Sequence, residues 1–267
     1  MATIQFYKYS ASGNDFIMID NREEKVDFSK EQIINLCKRR EGIGADGIVY
    51  LLPSSDCDFR LRIFNADASE AEMCGNATRA ITHFAFNYLK LKNEKKFSFT
   101  TMNGKYDSEI LDNGEIKVRM TELYDVDEVK INDLIYNQNA LYLNTGVPHS
   151  VYHLATIDSF DFETMALKVR HDNRFKNGTN VDFFAVTNKD KKQITLRVFE
   201  RGVEAETLCC GTGVMACAVA CNKFFGWTGE VEVVTKGGII KAVVDEALEN
   251  LYIQGQVKMI YQGQMDV

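Results

Sequence analysis

The sequence repeats one pattern in its two halves, and that repeat is the tightest constraint on the fold. Met73-Cys74-Gly75-Asn76-Ala77-Thr78 is answered by Cys209-Cys210-Gly211-Thr212-Gly213-Val214. Each places a Cys-Gly pair at the start of a small, apolar segment that reads as a helix. Each follows an acidic run, Glu70-Ala71-Glu72 or Glu204-Ala205-Glu206, and before it a strand-like run, Leu61-Arg62-Ile63-Phe64 or Leu196-Arg197-Val198-Phe199. Four landmarks keep nearly one spacing. Asp161 lies 134 positions after Asp27, Asp182 136 after Asp46, Leu196 135 after Leu61, and Cys210 136 after Cys74. That period is far longer than a solenoid repeat. It implies two similar domains, 1–122 and 123–267, each strand-rich with one central helix behind its cysteine. The closing strands of 230–262 leave room for the last to return to the first domain.

Along the chain, strands are expected at residues 4–9 and 16–20, with a turn or binding loop at 10–15 between them. Asp27-Phe28-Ser29 opens a helix to about Arg40, with Ile33, Ile34 and Cys37 on its apolar face. A glycine-rich loop at 42–47 leads into a strand at 48–51. Asp161-Phe162-Glu163 opens the matching helix of the second half.

The seven cysteines are an odd number without paired spacing. With no apolar stretch of signal-peptide length at the start, they read as reduced thiols in the cytoplasm. A net charge of −7 argues against a nucleic-acid partner. No apolar run reaches the length of a membrane span. The oligomeric state stays open, with a homodimer as the candidate assembly.

Cys74 and Cys210 each start a helix, where unpaired N–H groups and the helix dipole favour a thiolate. Two such thiols suggest a paired acid and base. Helix N-termini also bind carboxylates, so two of them facing one cleft imply a small carboxylate with a cysteine on either side. Cys37, Cys57, Cys217 and Cys221 read as buried hydrophobes. The shared Cys-Gly register selects Cys210 over Cys209, which points into the structure. No metal site is expected, since neither cysteine has a Cys-x-x-Cys or histidine neighbour. His83 reads as packed or surface, and His153 and His171 as solvated. His149, placed by the duplication opposite Asn14, is open to a turn role and a site role. Glu200-Arg201 is open to a surface ion pair and to a binding role; the matched Asn65-Ala66 is uncharged.

With these residues in order, the chain resembles the diaminopimelate epimerase family from about Lys8 to about Gln262. The resemblance rests on Gly13-Asn14-Asp15-Phe16, Phe64-Asn65-Ala66-Asp67, Met73-Cys74-Gly75-Asn76, Pro148-His149, Asn180-Val181, Phe199-Glu200-Arg201-Gly202-Val203 and Cys210-Gly211-Thr212-Gly213. It implies an α/β (α+β) fold of two pseudo-symmetric domains, each a strand-rich barrel around a central helix. It implies cofactor-independent interconversion of LL- and meso-diaminopimelate, in lysine and peptidoglycan precursor synthesis. Cys74 and Cys210 would be the acid/base thiols. Gly75, Asn76, Gly211 and Thr212 would hold the α-carboxylate, while Asn14, Asn65, Asn180, Glu200 and Arg201 would bind the remaining groups. His149 and Glu200 would stand close to the reacting centre. Three positions depart from the family pattern: Ser10-Ala11 replaces His-Gly, Gly47 stands where a Gln is common, and Val147 where Asn precedes Pro-His. Two alternatives stand beside this reading. One is another two-cysteine racemase such as a proline racemase, disfavoured because Asn76 stands where those carry His. The other is a non-catalytic amino-acid-binding protein.

Overall fold

The structure is a computed structural model that describes residues 3–120, 123, 131, 133–135, 138–157 and 159–266. The chain divides into two compact units, Met1–Val118 with Gly255–Val267, and Arg119–Gln254. The boundary expected after residue 122 falls on a position outside the described residues.

The first unit opens with β1 (Thr3–Ala11) and β2 (Asn14–Asp20). Ser12 and Gly13 join them, both with positive φ (49° and 86°). Two left-handed residues make the turn that matches strand twist, and they deliver Asn14 to the head of β2. Helix α1 (Lys30–Cys37) follows, capped by Ser29 in a capping box with Gln32. With the helix starting there, Ile33 and Cys37 lie one turn apart and are buried, while Ile34 is turned to solvent (40% exposed). This corrects its expected place on the apolar face. Next come β3 (Gly47–Leu52), β4 (Phe59–Asn65), β5 (Glu70–Ala71), the central helix α2 (Gly75–Asn87), β6 (Lys96–Thr101), β7 (Gly104–Ile110) and β8 (Ile116–Arg119). The C-terminal strand Lys258–Asp266 pairs antiparallel with β1.

The second unit runs through the same order: β9 (Ala140–Asn144), β10 (Pro148–His153), α3 (Phe162–Arg170), β11 (Asn180–Asn188), β12 (Gln193–Glu200), β13 (Ala205–Thr207), the central helix α4 (Gly211–Phe225), β14 (Gly229–Thr235), β15 (Gly238–Val244) and β16 (Leu251–Gly255). The pairings repeat as well. The pair β2/β3 is parallel like β10/β11, β3/β4 antiparallel like β11/β12, and β4/β6 parallel like β12/β14. Asp161 caps α3 through the Thr164 N–H, as the sequence implies. The fold is thus α/β, strand-rich and pseudo-symmetric.

Each central helix is buried along most of its length. Residues Gly75–Ala85 are buried apart from His83, and in α4 Gly211 and Gly213–Cys221 are buried. Helix α4 is apolar along nearly all of its faces and belongs inside a core, whereas α2 also buries Asn76, Thr78, Arg79 and Thr82. Helix α4 ends at Gly226 in the left-handed conformation (φ 68°).

The departure at Gly47 has a steric cause. A Cβ there would stand 2.4 Å from the Phe64 carbonyl oxygen on β4. Backbone cannot yield as a side-chain tip does, so Gly47→Ala is expected to destabilise the first unit by about 2 kcal/mol. The urea midpoint measures this, and an unshifted midpoint would mean that β3 and β4 part without cost.

Candidate active site

Both cysteines are the N-caps of the central helices. Cys74 (φ −144°, ψ 114°) and Cys210 (φ −113°, ψ 114°) have extended backbones, and neither side chain makes a capping bond. The first N–H groups of each helix, which lack intrahelical partners, therefore sit beside a thiol at the positive end of a dipole.

In the second unit a chain of hydrogen bonds runs to Cys210. Asp182 on β11 and His149 on β10 are fully buried, and His149 Nδ1 lies 2.6 Å from Asp182 Oδ2. His149 Nε2 lies 2.9 Å from Thr212 Oγ1, and that hydroxyl lies 3.2 Å from Cys210 Sγ. Thr145 Oγ1 donates to the Thr212 carbonyl at 3.0 Å. The Glu200 carboxylate, close enough to this thiol for the two to influence each other, accepts from the Thr207 hydroxyl. Burial pushes the Glu200 carboxyl above its ordinary range, and Thr207 and His149 offset only part.

Cys210 corrects the expectation of an acidified helix-start thiol. Burial first, then the charges of Glu200 and Asp182, push it well above the ordinary thiol range. The Thr212 hydroxyl and the Gly213 N–H recover only part. Cys210 is held as a thiol, suited to give a proton.

The first unit carries a chain of the same shape with different groups. Asn14 Nδ2 donates to Asp46 Oδ2 at 3.1 Å, and Asn76 Nδ2 donates to Asn14 Oδ1. Asn76 Oδ1 accepts from Arg79 Nη2 at 2.7 Å. Arg79 is fully buried and also donates to the Gly75 carbonyl and to Ser12 Oγ. Asp46 and the neighbouring Asp15 share Arg39 (2.6 and 2.8 Å), and Lys8 lies 2.7 Å from Asp15. Burial raises the Asp15 carboxyl, but Arg39 and Lys8 outweigh it and hold it at about 2.

The remaining expected residues are placed as follows. Asn180 spends its side chain on backbone, donating to the Pro148 carbonyl and accepting from the Arg201 N–H, each at 2.9 Å. Arg201 donates to the Asn177 carbonyl at 2.8 Å. Glu200 turns to Thr207 and Cys210, so the Glu200-Arg201 surface pair does not form, and among the described residues Arg201 lies in no ion pair. Asn65, at the end of β4, is exposed and donates to Ser69 Oγ at 3.0 Å. Cys209, Cys217, Cys221 and Cys37 are buried, and Cys57 is half-buried. His153 is half-buried rather than fully solvated: its ring lies 5.1 Å from those of Phe184 and Phe225. His83 packs on Tyr9, with Nδ1 3.1 Å from the phenol oxygen. A cavity of about 380 Å³ is lined by Phe160, Phe162, Arg197 and Glu206, among others, and by none of the expected site residues.

The roles of Asp182 and Arg79 were missed in the sequence. The available signal was a lone charge in each buried run, since charges are almost never fully buried unless partnered.

The raised Cys210 thiol gives a test by alkylation. Iodoacetamide modification of Cys210, followed by mass spectrometry, is expected to be slow near neutrality and to climb with pH through the alkaline range. Glu200→Gln removes one opposing charge and should speed it by roughly tenfold for each pKa unit recovered. A plateau already reached near neutrality would contradict the thiol state.

Comparison with known proteins follows this geometry. The profile of the family described as Diaminopimelate epimerase matches residues 6–126 and 141–260. The diaminopimelate epimerase of Flavobacterium psychrophilum is 34% identical over 97% of this chain and 99% of its own. That of Archaeoglobus fulgidus is 35% identical over 97% and 95%. Among solved structures, a PhzF-family phenazine biosynthesis protein of Bacillus anthracis superposes with TM-score 0.75 at 17% identity over all of both chains. A probable proline racemase of Agrobacterium radiobacter superposes with TM-score 0.69 at 14% identity, over 99% of this chain and 93% of its own. The structural likenesses speak for the fold alone, and the sequence matches go further: the chain belongs to the diaminopimelate epimerase family.

Proposed function

We propose that the chain interconverts LL-diaminopimelate and meso-diaminopimelate by inversion at one α-carbon, with Cys74 and Cys210 as its acid and base. The observation that carries the reading is the matched pair of helix starts, each presenting a thiol that the helix does not use as a cap. One sulfur takes the α-proton as thiolate and the other returns a proton to the opposite face as thiol, so no proton is gained or lost. Helix N–H groups aimed at the α-carboxylate stabilise the charge that develops as the proton leaves. In the direction where Cys210 is the donor it starts with its proton, and in the reverse direction it starts as the thiolate that its own donation leaves behind.

The substrate is a small molecule with a distal carboxylate, and Arg201 offers it a planar fork. Gly75, Asn76, Gly211 and Thr212 hold the α-carboxylate, Asn14, Asn65 and Asn180 complete the binding set, and His149 with Glu200 supports the chemistry. The reaction serves lysine and peptidoglycan precursor synthesis. We place the enzyme in the cytoplasm, because its seven cysteines are an odd number without paired spacing. Among the described residues no helix is long and apolar enough to cross a membrane. A homodimer is the proposed assembly, supported by the exposed Ile260 and Tyr261 of the C-terminal strand; light scattering checks it.

The test is incubation with LL-diaminopimelate in deuterated water. Label should enter the α-carbon as the meso form appears, and exchange on proline in its place would move the chain to the racemase reading. Cys74→Ser and Cys210→Ser should each lower the rate by about 10²-fold or more, while Cys209→Ser, at a buried position, keeps most of it. Arg201→Lys should raise KM by roughly ten- to a hundredfold, the value of a charge-assisted forked contact. Normal binding by that variant would remove Arg201 from the site.

A further inference from the structure

We infer that Asp182 is a positioning residue: it fixes the tautomer of His149 and, through Thr212, commits the hydrogen-bond state of Cys210. The inference rests on the reading of Cys210 as an acid/base thiol and adds to it a proton path that ends on a buried dyad.

The direction of every hydrogen bond in the chain follows from the chemistry of its last member. An ionised carboxylate only accepts, so the 2.6 Å contact to Asp182 Oδ2 puts a proton on His149 Nδ1. In the neutral imidazole Nε2 is then an acceptor. Thr212 must spend its single hydrogen on Nε2, 2.9 Å away. Its oxygen is left to accept the S–H of Cys210 at 3.2 Å. The sulfur receives no donor from Thr212 in this arrangement, which favours the thiol.

Reversing the chain moves one proton and forms an imidazolium and a thiolate together. The S–H proton passes to Thr212 Oγ1 as the hydroxyl proton passes to His149 Nε2. The imidazolium so formed keeps its Nδ1–H on Asp182, and Thr212 now donates to the thiolate. One S–H bond breaks, one N–H bond forms, and the hydroxyl is restored. The buried carboxylate stabilises the imidazolium, as an orienting acid does for a catalytic histidine.

Two observations set this chain apart from ordinary packing. The first is steric: Asp182 Oδ1, buried, has no hydrogen-bond partner among the described residues, and a Cβ on Gly213 would stand 2.4 Å from it. The carboxylate is held against the first turn of α4 with only a hydrogen between them. The second is the other copy of the motif. There Asp46, Asn14 and Asn76 complete the same geometry with two amides. The fold is satisfied by groups that hold no movable proton, so imidazole and hydroxyl in the second unit supply something the fold does not need.

The test reads the tautomer directly. In ¹⁵N-histidine spectra, with the His149 signals assigned by their loss in His149→Gln, the wild type should carry a proton on Nδ1. In Asp182→Asn, whose amide can donate to Nδ1, the neutral ring should shift to the Nε2–H form. Epimerisation should then fall about 10²-fold or more in kcat with KM nearly unchanged. A bare Nδ1 in the wild type, an unchanged tautomer in Asp182→Asn, or a loss confined to KM would each overturn the inference. If Asp182→Asn does not fold, the wild-type spectrum alone decides. Absence of exchange on diaminopimelate by the wild type would instead sink the proposed function, leaving the tautomer measurement to stand by itself.

Discussion

A helix buried along most of its length leaves its first N–H groups and last carbonyls as its unpaired backbone groups. Helices α2 and α4 are such helices, built from small residues that let strands close around them. Their carboxyl ends are used up by local geometry, as at Gly226. A Ser or Asp at their amino ends would spend its oxygen on the first N–H groups of the helix. A cysteine there leaves the N–H groups uncapped and sets a titratable atom beside them. The position of the site follows from this one packing constraint, and the surrounding strands serve to deliver side chains to it.

The two copies share a topology and diverge in charge. Arg79 stands five residues after Cys74 and is buried, held by the Gly75 carbonyl, Asn76 and Ser12. Met215 stands five residues after Cys210 and is equally buried. The first helix start is therefore backed by a cation and the second by two carboxylates, Asp182 and Glu200. At the second start burial first, and then the two carboxylates, push the thiol up. An enzyme that inverts a centre needs one base and one acid at any instant.

The large features were legible because they are local or periodic. The Cys-Gly pairs, the capping residues Ser29 and Asp161 and the repeat spacing fixed the helices and their order. What escaped was decided by contacts across the chain. His153 reads as solvated in sequence but packs in part against Phe184 and Phe225, more than 30 and 70 positions away. Ile34 depended on where α1 starts. The thiol of Cys210 depended on Glu200 and Asp182, which strands β11 and β12 bring to the helix start. The resemblance supplied Glu200 as a site residue, whereas Asp182 entered only as a landmark of the repeat.

The clearance between Gly213 and Asp182 has a consequence for how sequences of this fold can drift. A residue larger than glycine at 213 is incompatible with an aspartate at 182, yet compatible with a smaller residue there. The two positions are thus epistatic: a lineage can acquire a side chain at 213 only after giving up the acid. Once the acid is adopted, the glycine is locked in. The order of substitutions is set by the 2.4 Å at which a Cβ on residue 213 would meet the Asp182 carboxylate, and loss of the buried dyad is the step that would open the way back.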